Sequence, residues 1–275
     1  MATAPQTQTM GRDLQRSKAL SLALPAALVA RDQLFAVYQP IIDLATGACL
    51  RVEALLRWRH PQLGLVSPAE FIPLVERGGL MRSLTTKACE LAFADLEAWS
   101  RRGHDVGASV NISASLLEVD GFVDELLTAI ARCGLSPERI ELELTESVPI
   151  ADTPRVRAAL QRLVDSGLML ALDDFGLGEN GLRYLRDLPT RVLKIDRLFV
   201  RELADNPRDQ IIVRAIVSMA QALGYRVTAE GVETERALEL LKSWGCDAAQ
   251  GYFICKPIPF ADLIDWLAER ENSLR

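Results

Sequence analysis

Residues 168–181 read LMLALDDFGLGENG. Five apolar residues, too few for a helix, run straight into two adjacent acids, Asp173 and Asp174, and a glycine-rich turn follows. An apolar run of that length, bounded by turn residues, has the pattern of a strand buried on both faces. Acids at such a strand tip are ordinarily solvated ends. Here the pattern recurs: strand-like runs at 108–112, 139–144, 168–173, 191–195, 226–230 and 247–252 alternate with helical stretches that stop at Gly134, Gly167, Pro189, Gly224 and Gly245. Ahead of them, runs at 33–42 and 48–57 are joined by the short loop from Asp43 to Gly47, which makes those two strands an antiparallel hairpin. Six βα units behind a hairpin give eight strands. The fold class is therefore α/β, with a (β/α)8 TIM-like barrel and an antiparallel first strand as the expectation; an open doubly wound sheet is the alternative.

No linker interrupts the alternation, so 19–275 is expected to be one barrel domain and 1–18 a disordered or variable N-terminal segment. The apolar stretch 19–30 follows Arg12, Arg16 and Lys18 and superficially resembles a signal peptide. Pro25 interrupts it and it runs directly into the first strand, so it reads as a helix covering the barrel. Ser67, Pro68 and Glu70 carry an N-cap, N1 and N3 helix start. A second helix follows at 81–102, and a closing helix presents Phe260, Leu263, Ile264 and Leu267 on one face.

The composition, 49% hydrophobic and 25% charged over 275 residues, suits one large α/β core. A net charge of −6 argues against a nucleic-acid duplex or an anionic membrane surface as partner, and no segment is long enough to span a membrane. The odd cysteine count without CxxC spacing reads as reduced core residues of a cytoplasmic protein.

The chemistry lies at the carboxyl ends of the strands, where barrel enzymes build their sites. In chain order these ends carry Glu53, Asn111, Glu143, Asp173 with Asp174, Lys194 with Asp196, Glu230 and Gln250. Parity supports a common direction: Glu141 and Glu143 alternate with Leu142 and Leu144, so both acids face one side. Gly176, Gly178 and Gly181 spell the dinucleotide pattern GxGxxG, but the two carboxylates before the first glycine would repel a pyrophosphate, which excludes that reading. Converging carboxylates repel one another unless cations lie between them. The ligand set is all oxygen, and neither His60 nor His104 falls at an expected strand end, which favours Mg2+ or Mn2+ over zinc or iron. Acids enough for two ions, with one lysine, suit attack of water on a phosphodiester, with Glu230 as proton acceptor. An enolase-like barrel with a lysine base and one Mg2+ ranks second.

Glu53 opens the string EALLRW, and the chain resembles the EAL family of cyclic-di-GMP phosphodiesterases. The likeness runs from about residue 33 to the end of the last strand, through YQPI at 38–41, NISA at 111–114, ELTE at 143–146, DDFG at 173–176, LKID at 193–196, AEGVE at 229–233 and QGY at 250–252. It implies hydrolysis of cyclic di-GMP to linear pGpG with two Mg2+ or Mn2+ ions; Ca2+, with its longer bonds and looser geometry, is expected to bind but support turnover poorly and so to inhibit. By motif position it implies Glu53, Asn111, Glu143, Asp173 and Asp174 as metal ligands, Glu230 as base or further ligand, and Lys194 near the attacking water. Gln39 and Arg57 are expected to meet the substrate. Gln250 and Glu233 are expected to support the site, with Asp196 beside it, and Glu146 to steady the loop after the paired aspartates. The resemblance also implies a homodimer.

That loop departs from the family pattern. The family follows DFG with Thr or Ala, then Gly, an aromatic and two small residues; here Gly178 is kept, but Leu177, Glu179 and Asn180 with Gly181 occupy the other positions. The expectation is an active but weakened enzyme, the alternatives being a catalytically silent receptor for cyclic di-GMP and a protein-interaction module. Control is expected from a regulatory protein partner or from the chain's own N-terminal segment.

Overall fold

The computed structural model describes residues 4–145, 149–178 and 180–274, with side chains described from Leu14 onward. In chain order the elements are α1 (Ala4–Val29), β1 (Leu34–Asp43), β2 (Cys49–His60), β3 (Gly64–Val66), α2 (Pro68–Arg77), α3 (Met81–Arg101), β4 (Gly107–Ile112), α4 (Phe122–Arg132), β5 (Ile140–Thr145), α5 (Pro154–Asp165), β6 (Met169–Phe175), α6 (Gly181–Asp187), β7 (Val192–Ile195), α7 (Arg197–Val200), α8 (Pro207–Ala222), β8 (Arg226–Ala229), α9 (Glu235–Ser243), β9 (Ala248–Ala249) and α10 (Phe260–Ser273). Strands β2 and β4 to β9 pair in sequence as parallel neighbours, and β1 closes the ring by pairing antiparallel with both β2 and β9. The expected eight-stranded barrel with its antiparallel first strand is therefore present, and the open sheet is excluded.

Four features differ from the sequence reading. The first helix begins at Ala4, so much of the segment expected to be irregular is helical. Strand β2 continues to His60 because the extra strand β3 pairs with Trp58–His60. His60 thus ends a strand after all, but its Nδ1 accepts backbone N–H bonds from Gln62 and Leu63, which ties it into the turn. Strand β9 is only two residues long, because the chain turns at Gly251. A single turn of helix, α7, follows β7.

The hydrophobic core lies between the barrel wall and the helices. Outward residues such as Leu142, Leu144, Leu170, Leu172, Leu193 and Ile195 pack against Phe93, Leu126, Leu160 and Val217 of the surrounding helices. A separate apolar cluster joins Leu20, Leu24 and Leu28 of α1 to Trp58, Phe71 and Val75, so α1 covers one end of β2. The lumen has the opposite character. Ser109, Glu141, Glu143, Asp173, Lys194, Thr228 and Gln250 are all buried, the parity partners of the apolar wall residues. A barrel of this size is usually filled with branched apolar side chains; this one is filled with charge.

Candidate active site

Two pairs of the functional residues face each other directly across neighbouring strands. Gln39 and Glu53 are direct register partners across β1 and β2, and Asn111 pairs with Glu143 across β4 and β5. Successive strand residues point to opposite faces, so adjacent Asp173 and Asp174 should not reach one site. They do because the β6–β7 register shifts between Leu172 and Phe175. Within that bulge Asp174 has φ 55°, the only positive φ of a non-glycine among the described residues. Bulges re-aim side chains in this way, and a strained backbone of this kind is held by its surroundings. Oxygens of Asp173, Asp174 and Glu230 consequently lie within 4.8 Å of one another. Gly231 lets the chain turn directly after Glu230: it has φ 71°, and a Cβ there would stand 2.4 Å from Cβ of Arg197.

Lys194 stands at the centre. Its Nζ is 2.7 Å from Glu143, 2.6 Å from Glu230 and 3.4 Å from Asp173, and the lysine is 1% exposed. Glu53 is oriented by two amides: Asn111 Nδ2 donates to Oε1 at 2.9 Å and Gln250 Nε2 to Oε2 at 2.7 Å. One layer deeper, Glu141 is neutralised by Arg51 at 2.9 Å and accepts from Ser109. That deeper pair was invisible in the sequence, since Arg51 and Glu141 meet only when the barrel closes.

The charges do not balance. Burial pushes the pKa of Lys194 down, but Asp173, Glu143, Glu230 and Glu53 together hold it well above the usual lysine value. Burial also pushes Glu53 up, yet Lys194 and the two amide donors bring it below the ordinary carboxylate value. The other acids go the opposite way. Burial drives Glu143 well above its usual value and also raises Asp173, despite Lys194. Burial, then the charges of Asp173 and Asp196, lift Asp174 to about 6. Burial, with Asp173 and Glu53, lifts Glu230 to about 8 even beside Lys194. One ammonium is therefore too little positive charge for these carboxylates at neutral pH. Both oxygens of Glu143, Oδ1 of Asp173 and Oε1 of Glu230 are also buried without an aligned hydrogen-bond donor. Hard oxygen ligands with surplus negative charge fit a hard divalent cation.

The remaining sequence candidates fall in different places. Arg57 is half-buried on the same face of β2 as Glu53, its Nη1 donating to the Leu56 carbonyl. Asp196 caps α7, accepting from the Leu198 N–H at 2.7 Å. Gln39 is 8% exposed, with its amide bonded to Gln250 and to the Cys255 carbonyl. Glu233 lies apart from the buried cluster, paired at 3.6 Å with Arg201 on the surface. Gly178 lies in the turn after β6, and Asn180 stands at the start of α6 with no capping bond from its side chain. Glu146 and Glu179 lie outside the described residues. Tyr252, not singled out in the sequence, is 59% exposed beyond β9, and Lys256 Nζ lies 5.6 Å from its ring centroid.

A family model described as "EAL domain" matches residues 21–257. Over 253 residues the chain is 44% identical to a cyclic di-GMP phosphodiesterase of Pseudomonas aeruginosa, covering 92% of this chain and 43% of that protein. Over 235 residues it is 40% identical to the bifunctional diguanylate cyclase/cyclic di-GMP phosphodiesterase MucR of the same organism, covering 85% and 34%. The chain spans less than half the length of these curated relatives. Among solved structures it is similar to the PaMucR phosphodiesterase in a c-di-GMP complex, with 39% identity, a TM-score of 0.83 and coverage of 89% of this chain and 99% of that one. It is also similar to the EAL domain of Mycobacterium smegmatis DcpA, with 35% identity, a TM-score of 0.74 and coverage of 88% and 98%. No helix among the described residues is long and apolar enough to cross a membrane.

Proposed function

The chain belongs to the EAL domain family, and from that premise we propose that it hydrolyses cyclic di-GMP to linear pGpG with the help of Mg2+ or Mn2+. The observation that carries this reading is the convergence of Glu143, Asp173 and Glu230 on Lys194 within 3.4 Å, at the carboxyl ends of the barrel strands. Glu53, Asn111, Glu143, Asp173, Asp174 and Glu230 are the residues that would hold the metal. Divalent cations held there supply Lewis acidity toward water and phosphodiester, and positive charge that keeps the carboxylates ionised. Glu230, ionised, accepts the proton of the attacking water. The water oxygen bonds to phosphorus, the P–O3′ bond breaks, and the released 3′ oxygen takes a proton from solvent. Lys194 holds Glu143 and Glu230 together while negative charge develops on the phosphoryl oxygens. Arg57, on the same face of β2 as Glu53, would meet a phosphate of the nucleotide.

The test is direct. Purified protein with cyclic di-GMP and Mg2+ or Mn2+ should yield pGpG, and a chelator should abolish it. Unchanged activity in chelator would overturn the metal-dependent reading. Tight nucleotide binding with no product would make the chain a receptor, the alternative to the active but weakened enzyme that the departures at Leu177 and Asn180 imply.

A further inference from the structure

We infer that the single turn α7 sets the spacing between the loops that carry Asp174 and Glu230, with Phe199 as the positioning residue for Asp174. The inference rests on reading Asp174 and Glu230 as metal ligands. Both loops leave the barrel beside the end of β7. Phe175 is the register partner of Ile195 across β6 and β7, and the Glu230 N–H donates to the Ile195 carbonyl at 3.1 Å. Asp196 then caps α7, its Oδ1 accepting from the Leu198 N–H, and the turn meets both loops a second time. On one side Arg197 packs against Gly231, directly after Glu230. On the other the Phe199 ring packs against Gly176, two residues after Asp174.

Neither contact has room to spare. A Cβ on Gly231 would stand 2.4 Å from Cβ of Arg197, and one on Gly176 would stand 2.7 Å from Cε2 of Phe199. What α7 touches on each side is therefore backbone, which cannot swing aside as a side chain can. The phenyl ring closes on the left-handed stretch after β6, where Asp174 has φ 55° and Gly176 φ 103°. Such a conformation persists only where its surroundings over-determine it. Val200 and Leu203, both fully buried, anchor α7 and the turns after it in the core, so the ring is a fixed backing for that stretch. The backing has a force to resist. Asp174 is brought within 4.8 Å of Asp173 and Glu230, and the charges of Asp173 and Asp196 push against its carboxylate. Groups that orient a metal ligand typically change metal affinity 10- to 100-fold when removed.

The experiment uses Phe199→Ala, which removes the ring and leaves every carboxylate in place. Mn2+ binding to nucleotide-free protein, read by electron paramagnetic resonance or calorimetry, should weaken about tenfold. Affinity for cyclic di-GMP in saturating Ca2+ should change by less than about twofold, since no nucleotide contact is removed. Asp174→Asn takes away the ligand through which the ring acts, so adding Phe199→Ala to it should cost no more than about twofold further in Mn2+ affinity. Phe199→Leu, which keeps part of the bulk against Gly176, should lose less than the alanine variant. Paired with Asp174→Asn, it serves the same comparison should Phe199→Ala fail to fold. An equal loss of Mn2+ affinity with and without Asp174→Asn would overturn the inference and reduce the ring to general support of the barrel rim. Unchanged Mn2+ affinity with weakened nucleotide binding would also overturn it, making Phe199 a substrate contact. Weakened Mn2+ binding in a protein that never forms pGpG would leave the role of α7 standing and remove only the proposed activity. A parent that binds no Mn2+ would remove both.

Discussion

The ammonium of Lys194 lies 2.6 Å from Oε1 of Glu230, and the pKa of that glutamate is nevertheless raised to about 8. An isolated Glu–Lys contact would push the acid down. Here burial comes first, and the charges of Asp173 and Glu53 compete for the same cation. The site is thus built with more acid than its own lysine can neutralise, in a lumen where most barrels place apolar side chains. Stability in such a cluster should depend on pH and on metal together.

In chelator, the protein should lose stability as pH rises from about 5 to 8. Glu230 titrates near 4.5 when unfolded and near 8 when folded, and Asp174 near 3.8 and 6. Between those values the native state binds more protons than the unfolded state, so stability falls with increasing pH. Mg2+ favours the ionised carboxylates, so its affinity should climb over the same range and flatten the decline. Thermal unfolding at several pH values with and without Mg2+ checks both halves. A metal-free protein that gains stability toward pH 8 would contradict this account.

Asp174→Asn separates the backbone device from the charge. Asparagine tolerates a positive φ about as well as aspartate, so the bulge at φ 55° should survive. Removing a carboxylate crowded by Asp173 and Asp196 should raise the unfolding temperature in chelator. The stabilisation added by Mg2+ should shrink at the same time, the trade expected where a site is held under repulsion. A variant less stable than the parent in chelator would mean that the carboxylate of Asp174 holds the loop.

How much of this could be read beforehand follows from what sets each side chain's direction. Inside a strand the period of two decides it, so Glu53, Glu143 and Lys194 could be placed from their apolar neighbours alone. Beyond the strand end that rule lapses. Asp174 joins the site through a register shift that no sequence period announces. Glu233, three residues past Glu230, leaves for the surface because the chain turns at Gly231 and again into α9. The internal bonds of Gln39 could not be read beforehand either, because its side-chain partners, Gln250 and Cys255, are distant in the chain and adjoin it only once β1 closes against β9. Strand β3 is three residues long and carries too short a pattern to recognise.

Glu230→Gln keeps the shape of the side chain and removes the proton acceptor. Turnover of cyclic di-GMP should fall at least about 10²-fold, the usual worth of a general base. Nucleotide affinity should change little, because no substrate contact is removed. Equal losses in rate and affinity, measured side by side by product formation and calorimetry, would show that Glu230 chiefly holds metal and ligand.

The turn after the paired aspartates sets the last prediction. Leu177 N–H donates to the Asp174 carbonyl at 3.2 Å, so this residue closes the turn that contains the left-handed Asp174. Its side chain is 47% exposed and offers no hydroxyl, where the family resemblance leads one to expect threonine or alanine. Asn180 begins α6 without a capping bond from its side chain, although a serine there could accept from the helix's first N–H groups. Leu177→Thr with Asn180→Ser should therefore order the turn, raise kcat several-fold or lower the Mg2+ concentration needed for half-maximal rate, and leave the KM for cyclic di-GMP nearly unchanged. The plain alternative is a surface turn that tolerates either sequence, in which case kcat and the metal requirement would match those of an already fast parent. A parent that binds cyclic di-GMP without forming pGpG, and gains turnover with the double change, would mark the natural chain as a receptor whose loop has given up catalysis while its carboxylates remain in place.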